Sequence, residues 1–373
     1  MIYLTHAETA CTEQTQLLDD ITYPQKVHWF PETYNRVATG LFYPPHRLAE
    51  KVLNPQLMET LRETPSRKTA FLLAGGNEHF AGIPSNPRGS RLTYIYKPLP
   101  MTLTQVYAGR IAQACGATDH ISTDASACAS SMKVLMDVQT LIRFYGFTRV
   151  VVLAVEDAVS NLVLEFFGET KASLTKRREE EEGVVPSAFD ARNNSFFVGQ
   201  GAALAVFESE EGIQMSGFEK LARLDGAYTA AESCPNPLGQ TEDGEGFVRA
   251  AQGAIEMASA DPKNIRVVKT HGTGTASNNK AERAALEYLL KDGFQGTSYK
   301  PTIGHTMGAS GLLEIALLVR SLRTGVIPHI RNRTEDDRMF LSEPAAYSSG
   351  QILALAAGMG NVYSAAVLSM EIA

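Results

Sequence analysis

Cysteine is scarce in this chain: Cys11, Cys115, Cys128 and Cys234 are the only four in 373 residues. They are widely scattered, with no C-x-x-C pair and no zinc spacing, so no metal site can be read from them, and a reducing, cytoplasmic setting fits best. Positive charge is also in deficit, with 34 Lys and Arg against 41 Asp and Glu and a formal net charge of −7. That balance argues against a generic nucleic-acid binder and against attraction to an anionic membrane surface. Long apolar runs are missing: the run VVVLAV at 150–155 is far too short to cross a bilayer. The first residues, MIYLTHAETACTEQ, carry no basic segment followed by an apolar core, so no secretory signal is read. No short-period repeat is visible.

What is present is ordinary for a globular protein, with 44% hydrophobic and 20% charged residues. The length suits one large core or two packed halves. Short β-branched runs alternate with helical patterns. Strands are expected at MIYLTH, at 68–76, 148–157, 201–209, 264–275 (running into a Gly/Thr loop) and 363–372. Helices are expected at 102–116, after Cys128, and at 244–258, 280–290 and 308–325. This alternation predicts an α/β chain with mainly parallel sheets between helix layers. A division near residue 210 gives two α/β halves, 1–209 and 210–373, without visible sequence similarity. The charged run KRREEEEG at 176–183 reads as a solvated loop.

Four segments carry chemistry. In DASACASSMKVLM, Cys128 lies between small residues just ahead of a helix. It is either a buried core thiol or a nucleophile whose pKa is lowered by the helix N-terminus. In THGTGT, His271 ends a strand, where ligands of parallel sheets bind, and Thr273 and Thr275 can hydrogen-bond an amide-rich arm. A satisfied loop histidine is the alternative. In YKPTIGHTMGASG, His305 sits between loop glycines with Lys300 upstream. A buried lysine there would fix the ring's protonation and orientation, whereas a surface lysine beside a helix-capping loop would not. In AAGMGNVY, the turn at Met359 can present a backbone N–H to a substrate oxygen, or Met359 simply fills a gap.

Together, one thiol and two imidazoles suit a definite reaction. The thiol takes an acyl group from a thioester. Decarboxylation of a malonyl thioester makes an enolate, which N–H donors from both histidines stabilise. The enolate carbon attacks the acyl-cysteine, with the backbone N–H groups of Cys128 and Met359 holding the oxyanion.

The ordered motifs are identified as those of the β-ketoacyl-acyl-carrier-protein synthases of the elongating kind, including polyketide ketosynthases. The resemblance spans roughly residues 90–373. It rests on SACASS, on VEDA (155–158), on AFDARNNSFFVGQGAALAVFE, on HGTGT, on KPTIGHTMGASG and on the late glycine turn. It implies a thiolase-type fold of two duplicated α/β halves in five layers, α-β-α-β-α. It implies an acyltransferase that is a homodimer, or a heterodimer with a second ketosynthase-like subunit, and that acts on acyl carrier protein. No cofactor is implied beyond the phosphopantetheine arm that the carrier brings. Cys128 becomes the acylated nucleophile, and His271 and His305 the decarboxylation and condensation pair. Lys300 becomes the support of the second histidine, Glu314 a buried glutamate linked to the site, and Thr273 and Thr275 the hydroxyls that hold the arm.

The chain departs from the family pattern in several places. Met359 stands where a gating Phe is usual, Gln200 replaces an acid, Asn279 stands where Asp is common, and the acid after Arg192 is missing. The N-terminal hundred residues match poorly and look shortened. A divergent enzyme of a specialised fatty-acid or polyketide-like pathway is expected. A thiolase would need a second cysteine near the C-terminus, and none follows Cys234. A cysteine hydrolase fits the paired histidines poorly. A non-condensing partner subunit, like a chain-length factor, usually lacks the nucleophile that this chain has.

Overall fold

The computed structural model describes residues 1–11, 27–29, 36–38, 49, 52–75, 104–157, 166–168, 170, 172–174, 179, 182–193, 195–291, 293–335 and 337–370. Most of the charged run 176–183, and Ala158 of VEDA, lie outside them. The main sheet has ten strands: β1 (Ile2–Cys11), β2 (Thr69–Ala74), β3 (His120–Asp124), β4 (Arg149–Asp157), β5 (Gln200–Ser209), β6 (Ala222–Ala231), β7 (Ile265–Lys269), β8 (Gln295–Thr297), β9 (Gln351–Gly358) and β10 (Val362–Met370). Among the described residues, six helices of nine residues or more pack on it: α1 (Pro55–Glu63), α2 (Thr104–Ala114), α3 (Ser130–Tyr145), α4 (Glu245–Ala258), α5 (Ala276–Leu290) and α6 (Ser310–Arg323).

The spatial order is β8-β7-β9-β10-β6-β1-β5-β4-β2-β3. It is two five-stranded wings with the same internal pattern. In one wing β3, β2 and β4 run parallel, and β4-β5 and β5-β1 are antiparallel. In the other β8, β7 and β9 run parallel, and β9-β10 and β10-β6 are antiparallel. The wings join through only two residue pairs, Tyr3 with Arg223 and Leu4 with Ala222. The expectation of mainly parallel pairing is therefore corrected: five of the nine pairings are antiparallel. One reason is a connection too short for a helix. β9 and β10 form a hairpin through residues 359–361, and β1 and β6 insert antiparallel at the joint.

Three hydrophobic clusters define the layers. One face of β2, represented by Ala70 and Leu72, packs with Ile352 and Ala354 of β9 around Met132, Leu135 and Val138 of α3 and Leu313 and Leu317 of α6. The alternate residues of β2, Phe71 and Leu73, face α1 and α2 at Leu61 and Ile111. Leu353 and Leu355 of β9 face α4 and α5 at Phe247 and Leu286. The period-two alternation of each strand thus feeds two cores at once. The result is α1/α2, sheet, α3/α6, sheet, α4/α5: five layers. The middle layer places the N-termini of α3 and α6 side by side, and Leu312 N donates to Ser131 Oγ at 3.1 Å.

Candidate active site

The nucleophile segment is a tight elbow between β3 and α3. Ser126 N donates to Asp124 Oδ1 at 3.0 Å, Ala127 takes a left-handed φ of +48°, and Ala127–Ala129 form a single 3-10 turn before the helix. Lys133 pairs with Asp124 and secures the loop from the first turns of α3. Cys128 is buried at the top of this turn. The small residues around it let the β9–β10 hairpin approach: a Cβ at Gly358 would lie 2.7 Å from Ser126 O. Met359 follows Gly358 and so stands beside the elbow, about a third exposed (36%).

A second elbow repeats the first. Met307 has φ +43°, Met307–Ala309 form a 3-10 turn, and α6 follows. The strand-like segment just before it is fixed by His305 N donating to Phe197 O at 2.6 Å and Gly199 N donating to His305 O at 2.9 Å. Met307 Sδ reaches to 3.8 Å from Cys128 Sγ. Glu156 at the end of β4 accepts from Gly308 N at 3.2 Å.

His271 follows β7. Its backbone N–H and that of Gly272 both donate to the Glu282 carboxylate, the latter at 2.9 Å, and Asn278 Nδ2 donates to the same group at 2.9 Å. Ser298 Oγ donates to Gly272 O at 2.9 Å. Glycine is required two residues further on: Gly274 has φ +81°, and a Cβ there would lie 1.9 Å from Ser187 O. Glu282 on α5 thus clamps the loop that carries the imidazole.

Cys128, His271, His305, Thr273, Thr275 and Met359 all line one cavity of about 560 Å³. The two imidazole centroids are 5.7 Å apart at 81°. The two threonine hydroxyls lie 3.1 Å apart. On the thiol's side Phe167, Phe196, Val198 and Met307 form an apolar wall with Cys128. Lys300 and Glu314 are elsewhere. Both are fully buried behind the wall, joined by an ion pair of 2.8 Å. Lys300 Nζ donates to the carbonyl of His271, so its direct contact is with the first histidine, where the resemblance implies support of the second. Its charge still acts on both rings. Burial first, then the Lys300 charge, hold His271 and His305 well below the ordinary imidazole range, and each is a neutral ring at neutral pH.

Of the two readings left open for the thiol, the lowered pKa is not found: burial pushes Cys128 up to about 12, with the Lys300 charge pulling down and Glu156 pushing up. The resting group is therefore the protonated thiol.

Sequence reasoning missed four residues at the site. Glu282 was detectable as an acid four residues after Asn278 on one helix face. Lys269 stood out as a charge directly after Val267 and Val268, on the strand that leads into His271. Glu156 and Met307 were quoted within motifs but given no task, because only the fold brings them to the elbows.

Residues 56–212 match the family described as Beta-ketoacyl synthase, N-terminal domain, and residues 221–334 match Beta-ketoacyl synthase, C-terminal domain. The chain belongs to the β-ketoacyl synthase family. A polyketide β-ketoacyl synthase of Streptomyces halstedii is 28% identical over 331 residues, covering 84% of this chain and 77% of that one. Several other curated relatives are matched over less than two thirds of their own length. Among solved structures, the AntDE:AntF complex, a type II polyketide acyl carrier protein with its ketosynthase, aligns at a TM-score of 0.81 with 17% identity and 99% coverage of both chains. The ishigamide ketosynthase/chain length factor aligns at 0.75 with 17% identity and 99% coverage of both. These establish the thiolase-type fold for this ketosynthase chain. Among the described residues no helix is long and apolar enough to cross a membrane.

Proposed function

We propose that this chain is a condensing β-ketoacyl-acyl-carrier-protein synthase. The observation that supports it is the meeting of one thiol and two neutral imidazoles in a single cavity. In the first half-reaction the Cys128 sulfur attacks the acyl carbonyl, its proton passes to the departing carrier thiol, and an acyl-cysteine remains. A neutral imidazole is a competent relay for that proton. In the second, the carboxylate of a malonyl carrier leaves as CO2. The enolate oxygen is held by an N–H from each ring, and the carbon attacks the acyl-cysteine. The C–S bond breaks, the sulfur regains a proton, and a 3-oxoacyl carrier departs. The Cys128 and Met359 backbone N–H groups hold the tetrahedral oxyanion. Losing one such donor typically costs about 3 kcal/mol in activation.

Thr273 and Thr275 are assigned to the phosphopantetheine arm, because they stand in the cavity with their hydroxyls adjacent. Lys300 and Glu314 are positioning residues, because neither lines the cavity. The reading needs no metal and no cofactor of its own. It takes the chain as two duplicated halves, 1–209 and 210–373, working in the cytoplasm beside acyl carrier protein and a second ketosynthase-like subunit, its own copy or a different chain. The four cysteines are all unpaired, which suits that compartment. The chain-length-factor alternative has some support from the departures at Met359 and Gln200, but the complete Cys-His-His set weighs against it.

The test is mass analysis of the protein after incubation with a panel of acyl carriers. An acyl adduct on the Cys128 peptide, followed by 3-oxoacyl product when a malonyl carrier is added, is expected. No adduct with any carrier, in a folded protein, would leave the partner-subunit alternative standing.

A further inference from the structure

Behind the histidines lies a charge cluster larger than the Lys300–Glu314 pair. Lys269, the last residue of β7, is fully buried, and its Nζ is 2.8 Å from Glu314 Oε2 while Lys300 takes Oε1 at 2.8 Å. Two further buried acids flank the pair: Glu282 on α5, committed to the His271 and Gly272 N–H groups, and Glu156 on β4, which accepts from Gly308 N on the thiol's side. The other titratable groups facing this set are His271, His305, Tyr299 beside Lys300, and the Cys128 thiol. Among the groups that contact Glu314 or the His271 loop, Lys269 and Lys300 balance Glu314 and Glu282, two against two. Without it two carboxylates face one ammonium, leaving net negative charge under the place where an enolate forms.

We propose that Lys269 is a positioning residue for the condensing reaction: as the second ammonium on Glu314 it keeps the floor beneath His271 and His305 from becoming net negative, and so keeps both rings unprotonated and free to donate to an anion. This rests on the condensing reading above. A buried, unbalanced charge is strongly disfavoured, so a second lysine is what the second carboxylate requires. The direction of influence agrees. Lys269 is among the charges that lower both imidazoles, and burial lowers Lys269 itself while Glu314 opposes that.

The experiment measures malonyl-carrier decarboxylation against pH in Lys269→Met and in the double variant Lys269→Met/Glu314→Gln, which removes the carboxylate that Lys269 neutralises and keeps an oxygen for Lys300. Removing the cation raises the imidazole pKa values. The acidic limb of the profile is therefore expected to move up by about one pH unit or more, with a roughly tenfold lower plateau. Acylation of Cys128 should change by less than about threefold. The double variant, neutral again, should recover the limb, which a merely structural role for Lys269 would not do. An unchanged limb in folded Lys269→Met, or no recovery in the double variant, overturns the proposal. Where Lys269→Met does not fold, histidine NMR titration of Lys269→Gln beside the native protein decides. Rings that titrate at higher pH in the variant support the proposal, and rings that titrate alike in both overturn it. The titration needs no turnover. Absent decarboxylation and acylation in the unaltered protein would count against the condensing reading alone.

Discussion

In the proposed reaction Cys128 and the two histidines have separate tasks, and single substitutions should separate the two halves. Cys128→Ala removes the acyl acceptor. Condensation should be lost, while malonyl decarboxylation, which needs only the ring donors, persists within roughly tenfold; condensation measured in that variant would refute the nucleophile. His305→Ala should do the reverse, cutting decarboxylation by about 10²-fold or more while acyl-Cys128 remains detectable by mass. The same rings make stability depend on pH. Unfolded histidine takes a proton near its ordinary pKa of about 6.5, but the folded rings do so only well below it. As pH falls through that window the unfolded chain binds protons that the folded one does not. Stability then drops by up to about 1.4 kcal/mol per pH unit per ring. Urea unfolding followed from neutral to mildly acidic pH should be steeper for the native sequence than for His271→Gln/His305→Gln. Equal slopes would show that the rings are not held neutral.

At the scale of elements, the site is two elbows meeting. Ala127-Cys128-Ala129-Ser130 before α3 and Met307-Gly308-Ala309-Ser310 before α6 share a left-handed first residue, a 3-10 turn and an Ala-Ser step into the helix. This likeness was in the sequence and went unseen, because four residues are too few to notice without knowing that both open the third helix of a wing. Strands with steady apolar runs were legible: β2, β4, β5 and β10 fall where the pattern put them, within a few residues. The strands β3, β6, β8 and β9 were not read. β3 has no buried position, β6 mixes exposed and buried ones, and β8 has three residues, so none of these shows a clean period, while β9 is a Leu/Ala-rich run that suits a helix equally well. Helix α5 begins at Ala276, four residues earlier than expected, because Asn278 and Glu282 are buried polar residues serving the His271 loop rather than apolar periodic ones. The candidate residues Cys128, His271 and His305 were legible because each sits in a short loop of small residues at an element end. Their supporting charges were not, since burial of Lys269, Lys300 and Glu314 is a property of the packed layers. The contact between elbows gives a prediction of its own. A Cβ at Gly311 would lie 2.3 Å from Met132 Cγ, so Gly311→Ala should lower stability by about 1–3 kcal/mol. It should also slow acyl loading, since α3 must shift under Cys128. Thermal unfolding and the acylation rate check both, and loading at the native rate would mean that the elbows are independent.

For the whole molecule, the sheet's two ends differ. The β8 end is covered: Gly296 N donates to Met339 O at 2.6 Å and Leu341 N donates to Gly296 O at 3.0 Å. At the other end β3 pairs only with β2 among the described residues. Its five residues are partly or fully exposed. A strand edge that no described residue pairs with is a candidate template for another strand. Two copies related by a two-fold axis would place β3 against β3 and continue the sheet through both subunits. Because β3 leads directly into Ser126 and Cys128, such pairing would bring each thiol close to the subunit boundary, where the partner could close the acyl end of the cavity. Proline tests this without altering the core. Successive N–H groups of a strand point to opposite sides, so in one of Ile121→Pro and Ser122→Pro the lost N–H is the outward one, and β2 pairing survives. That variant should sediment as a monomer, keep its circular dichroism, and lose selectivity among acyl lengths more than it loses malonyl decarboxylation. A dimer of unchanged strength in both variants would show that the subunits meet through some other surface, and that the acyl end of the cavity is built by this chain alone.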